Sequence, residues 1–288
     1  MTTVPLDRRT FLARLGVLGA AAGAGVLIPR AADGAPAIAD LVRKIIDALV
    51  RDTFNAVGAF VAPGADPYSL AQGTPRTEPG ALAARTPEFL ISFFDNYVGL
   101  PPELVRGIST ALGDGLADVP IKLPGGTPVL VPGVLEALDD AVRLQLRGPD
   151  TLPLSGIIAL LLNVVATQVA PASVIGPFLS PLARLSFGQK AAVLSVLEQE
   201  DSPLVAALAS QLGPALGETV AGLVRFLSGA LVEMAAFGTY CEWAVFDPAT
   251  KSVRRRPVGW YLSGWDPGVL DGWDDFKGYY QGRRKAAN

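Results

Sequence analysis

Apolar residues recur along the first part of the chain with the spacing of an α-helix. They stand at i, i+3, i+4, i+7, i+8, i+11 and i+12, at Ile38, Leu41, Val42, Ile45, Ile46, Leu49 and Val50. The opposite face is charged, with Asp40, Arg43, Lys44, Asp47 and Arg51. This pattern predicts an amphipathic helix that extends through Phe54 and Val57 and buries one face in a core.

Helical patterning returns in five later stretches, which cover residues 86–100, 101–119, 134–148, 183–200 and 214–243. Thr86 is the predicted N-cap of the first of these stretches, with Pro87 at the first helical position. Ser186 is the predicted cap of the helix in 183–200. The segment 61–80 is so rich in Pro and Gly that we expect no regular structure there.

The segment 154–170 is apolar almost throughout, which fits either a membrane span or the buried central helix of a bundle. Its 17 residues fall short of the roughly 20 that a span needs, and Asn163, Thr167 and Gln168 lie within it. Length and polar content both favour a core helix.

The character of the chain changes near Phe237. Residues 237–288 hold 11 of the 22 aromatic residues, including all four tryptophans. The start of this segment, "EWAVFDPATKSVRRRPVGWYLSGW", reads as a strand, a turn at Asp247-Pro248 and then irregular chain. The predicted fold is therefore mainly α: an irregular helical bundle over 38–236, with an aromatic-rich C-terminal segment over 237–288 that contains a short hairpin and packs on the bundle.

The N-terminus carries the pattern of a twin-arginine signal, with Arg8 and Arg9 followed by Phe11 and Leu12. An apolar stretch over 15–28 and an A-x-A cleavage site over 35–37 follow in order. The apolar stretch is too short to span a bilayer comfortably, although an uncleaved anchor is the alternative. We expect a signal peptide over 1–37 and a mature chain that works outside the cytoplasmic membrane, in the periplasm, in the cell envelope or secreted.

The amino-acid composition excludes several kinds of catalytic site and metal site. The chain has no histidine and one cysteine, Cys241, which excludes His-dependent catalytic triads, His-ligated haem and Cys-clustered zinc or iron–sulfur sites within one chain. Its net charge of −3 offers no basic field for nucleic acid. No glycine motif for a nucleotide is present, and paired carboxylates such as Asp139-Asp140 fit solvated helix faces. Residues 266–275 supply oxygen ligands of the type that Ca²⁺ prefers, but their spacing does not match an EF-hand loop. We therefore predict no catalytic residue, metal or cofactor in this chain.

The aromatic segment has two interpretations. Trp, Tyr and Arg are the residue types that anchor protein interfaces, and the candidate partner-binding residues are Arg256, Trp260, Tyr261, Trp265, Trp273 and Tyr279. Alternatively, the segment wraps the bundle and buries its own rings. Both interpretations hold together if one edge packs and the other is presented.

Several stretches, in order, resemble the gluconate 2-dehydrogenase subunit 3 family. They are the RR signal, the first amphipathic helix leading to "FVAPGADPYS", the stretch "LARLSFGQKAAVLSVLE" and the ending "RPVGWYLSGWDPG". Together they cover about a third of the mature chain. The resemblance implies a small subunit, exported by the twin-arginine (Tat) translocase, of a flavin dehydrogenase of the glucose–methanol–choline (GMC) oxidoreductase type, with FAD in the partner.

The expectation from the resemblance is a non-catalytic subunit that stabilises and exports a GMC-type flavoprotein. Membrane association would come through the partner or through an uncleaved signal. The alternative from another class is a secreted helical binding protein for a lipid or other apolar ligand, with the 154–170 helix as a pocket wall. An unrecognised hydrolase is the third hypothesis.

Overall fold

The computed structural model describes residues 35–99, 153–174, 176–199 and 214–265. These residues form seven α-helices and one two-stranded antiparallel hairpin, so the described part of the chain is mainly α, as the sequence predicts. In chain order the elements are α1 (Ala35–Val61), α2 (Pro67–Ala71), α3 (Thr86–Asn96), α4 (Leu154–Val169), α5 (Phe187–Glu198), α6 (Pro214–Tyr240), β1 (Phe246–Asp247), β2 (Ser252–Val253) and α7 (Val258–Ser263). Two short 3₁₀ turns, Pro171–Val174 and Leu182–Arg184, connect α4 to α5.

The core lies between α1, α4 and α6. Helix α1 packs against α3, α4 and α6, and α5 packs against α4 and α6. The apolar face predicted for α1 supplies Leu49 and Phe54, both fully buried, and the Phe54 ring lies 6.1 Å from that of Phe94 on α3. Fourteen of the sixteen residues of α4 are buried, which confirms the prediction of a central core helix.

Helix starts follow the local sequence closely. The Ser186 hydroxyl accepts from Gln189 N, and the Gln189 side chain accepts from Ser186 N, so the predicted cap of α5 is a complete capping box. The predicted cap of α3 is wrong by one residue. Arg85, in the left-handed region with φ 58°, is the N-cap, and the Thr86 hydroxyl instead hydrogen-bonds Thr239 Oγ1 on α6 at 2.8 Å.

The Pro- and Gly-rich segment 61–80 contains regular structure after all, because α2 lies within it. The Asp66 carboxylate accepts from the amides of Tyr68 and Ser69, and Pro67 stands at the start of the helix with its φ already fixed. The loop closes where Gly64 and Gly80 meet backbone to backbone. A Cβ on Gly64 would lie 2.4 Å from Gly80 N, so neither position has room for a side chain.

The hairpin is present where the sequence predicts it, with Phe246 opposite Val253 and Asp247 opposite Ser252. The chain that follows is not irregular: it forms α7. This helix lies directly against the end of α6, since a Cβ on Gly259 would stand 2.3 Å from Tyr240 O. Six residues are too few to show a helical period in the sequence.

Several predictions lie outside the described residues. They are the signal residues Arg8, Arg9, Phe11 and Leu12, the helices over 101–119 and 134–148, and the end of the aromatic segment with Trp273 and Tyr279.

Candidate functional site

Four of the six predicted partner-binding residues meet in one aromatic cluster at the C-terminal side of α6. Trp260, on α7, donates its indole N–H to Glu242 Oε1 at 2.9 Å. Trp265 stands edge-on to Trp260, with ring centroids 4.4 Å apart. The Arg256 guanidinium lies 4.8 Å from the centre of the Tyr261 ring and donates to Trp265 O. We call Arg256, Trp260, Tyr261 and Trp265 the tryptophan cluster.

One part of the tryptophan cluster is fixed to the fold, and the other part is exposed to solvent. Trp260 is partly buried and tied to Glu242, whereas Tyr261 is 56% exposed and Trp265 is 48% exposed. Within the cluster, one ring packs on the fold and two are exposed to solvent.

A second group of exposed rings lies nearby in sequence, and sequence reasoning did not name it as a site. Phe237, Tyr240, Trp243 and Phe246 are all partly exposed. Phe237 and Trp243 also pack on Phe89 of α3, with centroid distances of 5.8 and 5.6 Å. The end of α6 thus carries exposed aromatic area that is fixed in position by α3.

A cleft of about 270 Å³ separates residues 79–84 from the C-terminal segment. Its lining is mostly small and apolar, and its polar side chains are Arg255, Arg256, Tyr261 and Cys241. Burial raises the pKa of the Cys241 thiol, so the protonated form dominates at neutral pH. A protonated thiol is a weak nucleophile, and the cleft therefore supplies binding groups and no activated nucleophile.

The bundle interior holds a polar network that sequence reasoning missed. Asp52 accepts from the Tyr68 hydroxyl at 2.5 Å and from Ser180 N at 2.6 Å. Asn163 accepts from Ser180 Oγ and Leu182 N, and donates to Thr53 Oγ1. The network joins α1, α2 and α4 to the chain preceding α5. One sequence signal could have revealed it: Asp52 and Thr53 stand seven residues after Ile45 and Ile46, on the apolar face of α1.

The electrostatics of this network are those of a structural core. Burial raises the pKa of Asp52, and burial together with the Asp52 contact raises the pKa of Tyr68. Burial lowers the pKa of Lys190 to about 8, and its ammonium donates to Gln72 Oε1 at 2.7 Å and to Ala56 O at 3.2 Å. Since the oxygens of Asp52 and the amide of Asn163 are engaged by protein groups, the network orders the loops around α1.

The described residues form no metal site, and the void between α4, α5 and α6 is small. No three His, Cys, Asp or Glu side chains among them converge to hold a metal ion. An apolar void between α4, α5 and α6, lined by Leu161, Leu197 and Leu227 among others, measures about 20 Å³. That is room for about one water molecule, whereas ligand pockets run to roughly 300 Å³ or more. The void between these three helices is therefore too small to hold a lipid.

One described helical stretch, Gly222–Tyr240 of α6, is long and apolar enough to cross a membrane by length and composition, and 39% of it is buried in the fold. A core helix passes the same test, so this stretch is weak evidence for a span.

Comparison of the chain with protein families, with curated proteins and with solved structures finds no match.

Proposed function

We propose that this chain is the non-catalytic small subunit of an extracytoplasmic flavin-dependent oxidoreductase. It binds a GMC-type flavoprotein, which carries the FAD, and the Tat translocase exports the two together. The observation that carries the proposal is the tryptophan cluster, in which residue types typical of interfaces are fixed by Glu242 and remain exposed.

The signal and the site support each other in this proposal. A protein exported in the folded state either carries a cofactor inserted in the cytoplasm or accompanies a partner that does. The sequence of this chain contains no nucleotide-binding glycine motif. A partner that binds the flavin but has no export signal would explain why this chain carries a signal and why it has an exposed aromatic surface.

The first test is purification of the tagged full-length chain from its native host under mild conditions, followed by an absorption spectrum of the eluate. We expect a large second chain to co-elute, with the visible bands of bound flavin. A colourless, solitary chain would overturn the proposal.

The second test assigns the surface. We expect Trp265→Ala and Tyr261→Ala each to weaken the complex about 30-fold, as truncation of an interface anchor does. Tyr97→Ala, which removes a 77% exposed ring at the end of α3, is the matched control and should change affinity less than about twofold. If Trp265→Ala and Trp260→Ala both leave the complex intact while thermal unfolding shows them folded, the site assignment is wrong.

A further inference from the structure

Arg254, Arg255 and Arg256 differ in whether a carboxylate neutralises their charge. Arg254 pairs with Asp247, at 3.0 Å across the hairpin. Arg255 is exposed and makes no ion pair with any residue that the structure describes. Arg256 lies over Tyr261 and donates to a backbone carbonyl, so it also lacks a carboxylate partner within the described ranges.

The cleft beside these arginines is consequently positive. None of its lining residues is acidic, whereas Arg255 and Arg256 both line it. The whole chain, by contrast, has a net charge of −3. A positively charged cleft on an acidic protein favours an anionic occupant and repels cationic surfaces.

We propose that this cleft receives a carboxylate-bearing loop of the flavoprotein partner, with Arg255 and Arg256 pairing to its Asp or Glu side chains. This inference rests on the proposed function and names the chemistry of the contact. At about 270 Å³ the cleft lies below the usual range of small-molecule pockets, but it accommodates a few inserted side chains. Its concave form also favours an inserted loop over a flat lipid surface.

The geometry gives Arg255 and Arg256 different roles in the proposed contact. Arg256 is oriented by the Tyr261 ring and by Trp265 O, so its remaining N–H groups are already placed for a carboxylate. Arg255 is exposed where it lines the cleft, and its charge contributes attraction before contact, which acts on the association rate. Because Arg255 makes no hydrogen bond or ion pair with another described residue, replacing it tests the cleft without disturbing the tryptophan cluster.

The experiment measures affinity of the full-length chain for the purified flavoprotein across a range of NaCl concentrations. We expect Arg255→Glu to weaken binding about tenfold at low salt and to flatten the salt dependence, because an attractive charge becomes a repulsive one. Arg43→Glu, the same reversal at an exposed position of α1, is the control and should have little effect. A Glu-to-Lys or Asp-to-Lys variant of the partner that restores binding to Arg255→Glu would establish the pairing.

Several outcomes would overturn the inference. If the flavoprotein co-purifies and Arg255→Glu binds like the wild type, this contact is wrong while the proposed function stands; if no flavoprotein co-purifies, both fail. Binding of the free chain to phosphatidylglycerol vesicles that is lost in Arg255→Glu would make the cleft a lipid site. A tighter complex after Asp271→Asn, Asp274→Asn and Asp275→Asn would identify the chain's own C-terminal residues as the occupant.

Discussion

Trp260 and Glu242 join α7 to the end of α6 through a single hydrogen bond of 2.9 Å from the indole N–H to Oε1. The bond fixes the position of the Trp260 ring, against which Trp265 packs edge-on, and its acceptor Glu242 follows directly after Cys241, a lining residue of the arginine-lined cleft. One contact therefore orients the exposed aromatic surface beside the arginine-lined cleft.

Glu242→Ala should accordingly separate stability from binding. Loss of a partly exposed hydrogen bond to a charged acceptor costs about 1 kcal/mol of unfolding free energy, because water replaces part of it. We expect a larger effect on the flavoprotein complex, since Trp260 and Trp265 lose their fixed orientation. Urea unfolding and a binding titration measure the two effects. Glu233→Ala, at an exposed position of α6, is the control, and equal behaviour of the two variants would contradict the prediction.

Gly238 permits the close packing of α6 on α3. A Cβ at this position would lie 2.4 Å from Phe89 Cδ1, far inside contact distance. We expect Gly238→Ala to destabilise the fold by about 1–3 kcal/mol, since Phe89 must move and it supports Phe237 and Trp243.

The same helix supplies the control for this change. A Cβ on Gly229 meets nothing within 4 Å, so Gly229→Ala should be neutral or stabilising by up to about 1 kcal/mol through helix propensity alone. Thermal unfolding of the two variants side by side measures the difference. Similar unfolding temperatures for both would show that α6 and α3 are not packed as described.

Lys190 gives the fold a defined pH dependence. Burial lowers the pKa of its ammonium from 10.5 to about 8, so the unfolded chain holds this proton more tightly than the native chain does. Stability attributable to Lys190 must then rise with pH between about 8 and 10.5, and stay constant below that window.

Lys190→Met removes this titration. We expect the unfolding free energy of the wild type to gain about 3–4 kcal/mol relative to Lys190→Met as the pH rises through that window, because one pKa unit corresponds to about 1.4 kcal/mol. Subtracting the variant curve cancels the contributions of the groups that the two proteins share. Lys251→Met, at an exposed lysine, should follow the wild-type curve. A constant difference between wild type and Lys190→Met would contradict the buried ammonium.

The elements that could be predicted from the sequence are those with local signals. The period of α1, the Ser186 capping box and the Asp247-Pro248 turn each depend on residues a few positions apart. Local signals of this kind can be recognised from the sequence alone. The convergence of Arg256, Trp260 and Trp265 also follows from their nearness in sequence.

Long-range pairings were not predictable. Ser180 meets Asp52 and Thr53 across about 130 positions of chain, and no pattern in either segment specifies the partner. The arginine-lined cleft is similar, because residues 79–84 form the wall that faces Arg255. Polar residues on an apolar helix face signal that a buried partner exists, but only packing of the helices decides which one it is.

The proposed export signal leads to a prediction about both proteins. The proposed function makes Arg8 and Arg9 the address of two proteins, the small subunit and its flavoprotein. We expect the double change Arg8→Lys with Arg9→Lys to leave both chains in the cytoplasm, because lysine keeps the charge but lacks the planar guanidinium fork. Arg14→Lys, in the same region but outside the pair, should export normally. Immunoblots of cytoplasmic and extracytoplasmic fractions, with flavin absorbance of each, measure both chains at once. If the flavoprotein is exported when this chain is retained, the two proteins do not depend on the same signal and the proposed function is wrong. If both are retained, export of the flavoprotein depends on the signal of this chain.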